Sequence, residues 1–250
     1  MTKICVIGNS HVGALKQGYD SLNIDSYEAS FWCIPGGYGP SIDVEDGKIV
    51  VPSNRQHTVE SDIVPHPGNE LDLSGFDVVL LSGVGIPAIR KQNPTLHKKY
   101  AAGNFLGEGN HSGRQNLSIA MFGKLIEHEL RQLDSFMNID KLSSIFDKKI
   151  LIQQFPMPTE SVVNQPDFDA HYYGNKFGDF MSWYQNEQSL VLKKHAKRRN
   201  VSLVKYPAEW VSKGFTPSEY RSSDDSWHMN DKFGAFFMGD VLAERLRSFK

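Results

Sequence analysis

The sequence predicts an α/β protein with a mainly parallel five-stranded sheet. Three observations carry that reading. Four short runs are apolar throughout rather than alternating, as strands buried on both faces are, with a shorter fifth at 201–204. Stretches with helical apolar spacing lie between or after them. At 250 residues, 40% hydrophobic and 22% charged, the chain has ordinary globular composition and length enough for a core.

The expected strands are residues 4–7, 31–34, 78–81, 150–152 and 201–204. The first expected helix, 11–22, follows the first strand directly. A second, 116–137, carries Ile119, Phe122, Ile126, Leu130, Leu133 and Met137 as one apolar stripe. A third, 178–199, carries Met181, Tyr184 and Val191 and ends in a basic cluster, which a helix C-terminus favours. The last is 231–246. Asp46-Gly47, between Ile42/Val44 and Ile49/Val51, signals a small hairpin over 41–51. Residues 85–115 show no clear periodicity and are expected to form a long functional or mobile loop bordering the site. With no repeat or low-complexity linker, residues 1–250 are expected to form a single domain.

Charge and hydropathy narrow the partners. Lys plus Arg total 27 and Asp plus Glu 29, a net charge of −2, so the basic excess of a nucleic-acid binder is missing. No apolar run approaches the roughly 20 residues of a membrane span. Met1–Gly8 is too short and too soon interrupted for a signal peptide and reads as a strand, which makes the cytoplasm the expected compartment. Cys5 and Cys33 lie in apolar runs, as reduced core residues do, and their spacing fits no zinc site.

The chemistry concentrates at two places. Ile7-Gly8-Asn9-Ser10-His11 closes the first strand, so Ser10 stands at the carboxyl edge of the sheet, at a helix N-terminus that favours developing negative charge. Ser10 there is either a plain N-cap or a nucleophile with a nearby base. Near the other end, Asp225-Ser226-Trp227-His228 is a D-x-x-H in a polar loop before the last helix. That spacing lets a carboxylate fix the imidazole tautomer and leaves the second nitrogen for a serine. Two glycine patterns, Gly8-Asn9-Ser10-His11-Val12-Gly13 and Gly83-Val84-Gly85-Ile86-Pro87-Ala88, raise a nucleotide-binding alternative. The first lacks its middle glycine, and the second has Pro87 and no acidic residue closing a following strand.

Together, Gly8-Asn9-Ser10-His11 after strand one, Pro35-Gly36-Gly37 after strand two, Gly83-Val84-Gly85 after strand three, and Asp225 with His228 before the last helix resemble the SGNH (GDSL-type) hydrolase superfamily in a G-N-S-H variant. The resemblance runs the length of the chain in block order on short motifs. It implies a flavodoxin-like three-layer α/β/α sandwich and ester hydrolysis or acyl transfer, often on carbohydrates. It implies Ser10 as nucleophile, His228 as base, Asp225 as its orienting acid, and the Ser10 and Gly37 backbone N–H groups as oxyanion donors, with Gly36 the alternative. One block departs: Gly85 stands where the family has its oxyanion asparagine. A third donor would then come from Asn93, Asn104, Asn110 or a water. This departure keeps a second reading open, a non-catalytic carbohydrate- or nucleotide-binding descendant of the fold.

His11, adjacent to Ser10, points about 100° away on a helix, a poor direction for a base, and is a candidate substrate contact or a first-turn structural residue. Asn104, His111 and Arg114 are further candidate substrate contacts. With His97, Arg90, Lys91, Lys98 and Lys99, the last two belong to a loop that is either an anion-binding lid or simply solvated. Trp227 packs the loop or stacks on a sugar, and Gln154-Phe155-Pro156-Met157-Pro158 either lines the pocket or forms a rigid turn. His128-Glu129 lacks the second histidine of a zinc protease. No metal or tightly held organic cofactor is implied; the expected partner is a small-molecule or carbohydrate acyl ester.

Overall fold

The computed structural model describes residues 1–34, 42–51, 69–86, 99–106, 114–164, 173–197, 200–223 and 228–249. Its central sheet is made of β1 (Thr2–Gly8), β2 (Tyr27–Cys33), β6 (Val78–Val84), β9 (Lys149–Gln154) and β10 (Val201–Val204), all parallel, in the order β10-β9-β6-β1-β2. This is the flavodoxin-like order, with the connection reversing between β1 and β6, and ligands of such sheets sit at the carboxyl ends of the strands flanking that reversal.

Alternate side chains of each strand feed two cores. Cys5, Ile7, Val79, Leu81, Ile150 and Ile152 face one way, onto Phe136, Ile139 and Leu142 of α3 (Asp134–Ile145) and Val191 and Leu192 of α4 (Phe177–Ala196). Ile4, Val6, Val78, Leu80 and Leu151 face the other, onto Val12 and Leu15 of α1 (His11–Asp20) and Phe233 of α6 (Asp231–Phe236). The last helix continues from α6 through a π-helical turn, Phe237–Leu242, into α7 (Ala243–Arg247). The expected three-layer α/β/α sandwich is therefore present, and all five expected strands form.

Several expected elements differ. The stripe over 116–137 is not one helix. It comprises β8 (Gln115–Leu117), α2 (Ile119–Arg131), capped by the Ser118 hydroxyl, and the start of α3. The chain breaks at Leu133, whose ψ of 136° is extended. Phe122, Ile126 and Leu130 of α2 are buried, but the stripe does not continue past the break: Met137 is 41% exposed, and α3 buries Phe136, Ile139 and Leu142 instead. The expected hairpin, β3 (Asp43–Glu45) with β4 (Lys48–Val50), gains a third antiparallel strand, β5 (Glu70–Leu71). The stretch expected as a plain loop contributes β7 (Tyr100–Ala102), which pairs with β8 in parallel. A short helix the sequence reading did not predict, α5 (Ala208–Lys213), starts after Pro207 and ends at Gly214, whose φ of 76° is left-handed. Both are ordinary boundary signals.

Candidate active site

Ser10 follows β1 and opens α1. Its backbone is already helical (φ −50°, ψ −23°), and its side chain makes no capping hydrogen bond. The hydroxyl is directed instead to His228: Ser10 Oγ and His228 Nε2 are 2.9 Å apart. A plain capping role for Ser10 is thus not what its side chain does. Among the described residues no hydrogen bond engages the Ser10 amide, which leaves that donor available at the positive end of α1.

His228 is held by the strand-like segment that precedes α6. Its carbonyl accepts from the Ser222 amide at 2.9 Å, Arg221 bridges Met229, and the Asn230 amide donates to the Tyr220 carbonyl at 2.9 Å. Asn230 fastens this segment with its side chain as well. Nδ2 donates to the carbonyls of Glu219 (2.7 Å) and Arg221 (3.1 Å), and Oδ1 accepts from the Phe233 amide (3.1 Å), capping α6.

The two helices that begin beside Ser10 and His228 are locked together by glycines. A Cβ on Gly234 would stand 1.8 Å from the Ala14 carbonyl oxygen, and one on Gly18 would stand 2.0 Å from the Ala235 nitrogen. Backbone therefore meets backbone, and the spacing of α1 and α6 has no side chain to yield.

A cavity of about 720 Å³ opens at the pair. Beyond Ser10 and His228 its walls include Gln17, Ser222, Ser223, Asn230 and Asp231, with Gly13 and Ala14 giving a flat face. These are groups that exchange hydrogen bonds with hydroxyls. Asp20, at its far end, is paired with Lys16.

Not every expected site residue lies at this cavity. Asp225 and Gly37 fall outside the described residues, as do Gly36, Asn93, His97, Asn110, His111 and Trp227. Asn104, exposed in a 3₁₀ turn, and Arg114, at the foot of β8, do not line it. His11, expected as a substrate contact or first-turn residue, is 7% exposed, with its ring against Phe155 and His228. Of the expected loop border, Gly85 reaches Phe155, where its Cβ would lie 3.3 Å from the Phe155 Cβ.

Gly85, where the sequence resemblance expects an asparagine, has no room for a side chain. Gly85 has φ +148°, and a Cβ there would meet Gln188 Oε1 at 2.8 Å. The Gln188 side chain, 1% exposed, accepts from the Ile86 amide (2.7 Å) and donates to the Ile86 carbonyl (3.2 Å). Sequence reasoning missed Gln188, Asn230, Gly18 and Gly234. For Asn230 a signal existed, an Asn immediately before a helix; for the others there was none.

No helix among the described residues is long and apolar enough to cross a membrane, and no cluster of metal-ligating side chains occurs among them. No protein-family model matches the chain, and no curated protein is similar to it. Among solved structures it is similar to a Corynascus thermopiles (Myceliophthora fergusii) carbohydrate esterase family 2 enzyme with a carbohydrate-binding domain. Identity is 14% and the TM-score 0.37, over 99% of this chain and 66% of that one, so this chain spans just under two-thirds of the structure it matches.

Proposed function

We propose that the protein is a serine esterase or O-acyltransferase acting on an acyl ester, with a carbohydrate or polysaccharide precursor as the alcohol part. The observation that carries this reading is the 2.9 Å approach of Ser10 Oγ to His228 Nε2 at the mouth of a polar cavity. Ser10 Oγ attacks the acyl carbon while its proton passes to His228 Nε2. The tetrahedral oxygen receives the Ser10 and Gly37 N–H groups. The intermediate collapses as His228 returns the proton to the departing alcohol. Water or an acceptor hydroxyl then attacks the acyl carbon while giving its proton to His228. The second intermediate collapses with His228 returning that proton to the departing Ser10 Oγ, which releases the acyl group and restores the starting pair. Asp225 orients His228 throughout. The hydroxyl-pairing walls of the cavity favour a polyol over an apolar alcohol.

A fluorophosphonate probe tests this directly. Wild-type protein should be labelled at Ser10, and Ser10→Ala and His228→Ala should not. A well-folded wild type that resists the probe would favour the second reading, a binding descendant of the fold, to which Gly85 and its occupied side-chain position lend support.

A further inference from the structure

The proton taken from Ser10 makes His228 a cation, so the surface on which that imidazole rests bears on the step. One such surface is His11. The two ring centroids are 5.3 Å apart with planes inclined at 33°, within the range of interacting aromatic pairs. On another side the His11 ring meets Phe155 edge-on, centroids 4.3 Å apart at 75°. Phe155, like His11, is 7% exposed. The His11 backbone is fixed too: its amide donates to the side-chain oxygen of Asn9 at 3.2 Å, and Asn9 is 3% exposed. Phe155, His11 and His228 thus form a row of three rings running from the buried interior to the reacting nitrogen.

We propose that His11 is the positioning residue of the Ser10–His228 pair. Its ring, braced by Phe155, is the wall that holds the His228 imidazole with Nε2 toward Ser10 and offers an aromatic face to the charge His228 acquires. This rests on the acyl-transfer reading above. The ring packing, rather than a proton carried by His11, performs the role, so phenylalanine should substitute for it.

The test compares His11→Ala and His11→Phe with wild type. The rate of Ser10 phosphonylation should fall about 10–100-fold in His11→Ala and stay within about threefold in His11→Phe, as expected when a reacting group loses its alignment. With an aryl acetate the loss should fall on kcat and leave KM unchanged, whereas a substrate contact would move KM. Long-range nitrogen–proton NMR of the imidazoles should show the His228 ring displaced in His11→Ala and native in His11→Phe. A folded His11→Ala variant with wild-type labelling and spectra would overturn the proposal, as would a folded His11→Phe variant impaired as severely as His11→Ala. If wild type itself does not label, the acyl-transfer reading falls. The spectra then decide alone: an unmoved His228 ring in His11→Ala refutes the positioning role, and displacement with rescue by phenylalanine upholds it.

Discussion

Gly234→Ala is a small change with a large expected consequence. The new Cβ would lie 1.8 Å from the Ala14 oxygen and 2.6 Å from its carbon, both backbone atoms that cannot rotate away. Carbon and oxygen repel strongly inside about 3.2 Å, so α6 and α1 must separate by roughly 1.4 Å. Ser10 precedes α1 and His228 precedes α6, so much of that separation reaches the 2.9 Å hydroxyl–imidazole contact and carries it past hydrogen-bond range. Overpacking should cost about 1–3 kcal/mol, or roughly 3–10 °C in Tm for a chain of this size. Reactivity of Ser10 should fall further, about 100-fold, because proton transfer is steep in distance. Gly239→Ala is the control in the same helix: its Cβ meets only the Leu22 side-chain tip at 3.1 Å, which can move. The assay is the second-order rate of fluorophosphonate labelling beside a thermal melt. A Gly234→Ala protein with wild-type labelling and melting would refute the claim that this helix contact sets the site.

Three further outcomes follow from the geometry. Asn230→Asp keeps the acceptor that caps α6 but loses both Nδ2 donations, to Glu219 and Arg221; helix content by circular dichroism should hold while stability drops about 1–2 kcal/mol and labelling slows. Gly85→Asn should not raise the rate of any ester hydrolysis and should lower Tm, because φ +148° and the 2.8 Å contact with Gln188 Oε1 leave no room for the side chain; a faster, equally stable variant would contradict this. Burial pushes the Cys5 thiol up to about 12, so native protein at pH 8 should leave Cys5 unmodified by a thiol reagent that reaches it after denaturation. The raised value also fixes a sign: the unfolded thiol ionises near pH 8.5, so stability should decline as pH climbs above about 8.5, and Cys5→Ala should make that decline shallower.

What could be read from the sequence was what depends on local pattern. Residues 78–81 and the other wholly apolar runs announce buried strands because both faces of a parallel sheet need apolar cover. Ser10 and His228 each sit at an element boundary, and boundaries are written in neighbouring residues; pairing them across the chain rests on the resemblance of the motif blocks in their order, not on local pattern. The break at Leu133 could not be found this way. No Gly or Pro marks it, and Leu133 and Met137 keep the apolar spacing of α2 in the sequence although α3 buries Phe136, Ile139 and Leu142. Gly18 and Gly234 look like weak points inside helices. Their role exists only where two segments more than 200 residues apart touch. Gln188 carries no mark in its own helix, since its purpose lies in the vacancy at Gly85.

The hydrogen bond between Ser10 and His228 closes a loop of 218 residues. Nearly every strand of the sheet lies inside that loop, and α6 can find α1 only once β1 is seated beside β6. Closing so long a span unaided is entropically unfavourable, so the intervening sheet must assemble first and bring the ends together. The proposed reactivity of Ser10 would therefore arise late in folding. Partly assembled chains would have an inert serine, and the same probe that tests the chemistry would time the completion of the fold.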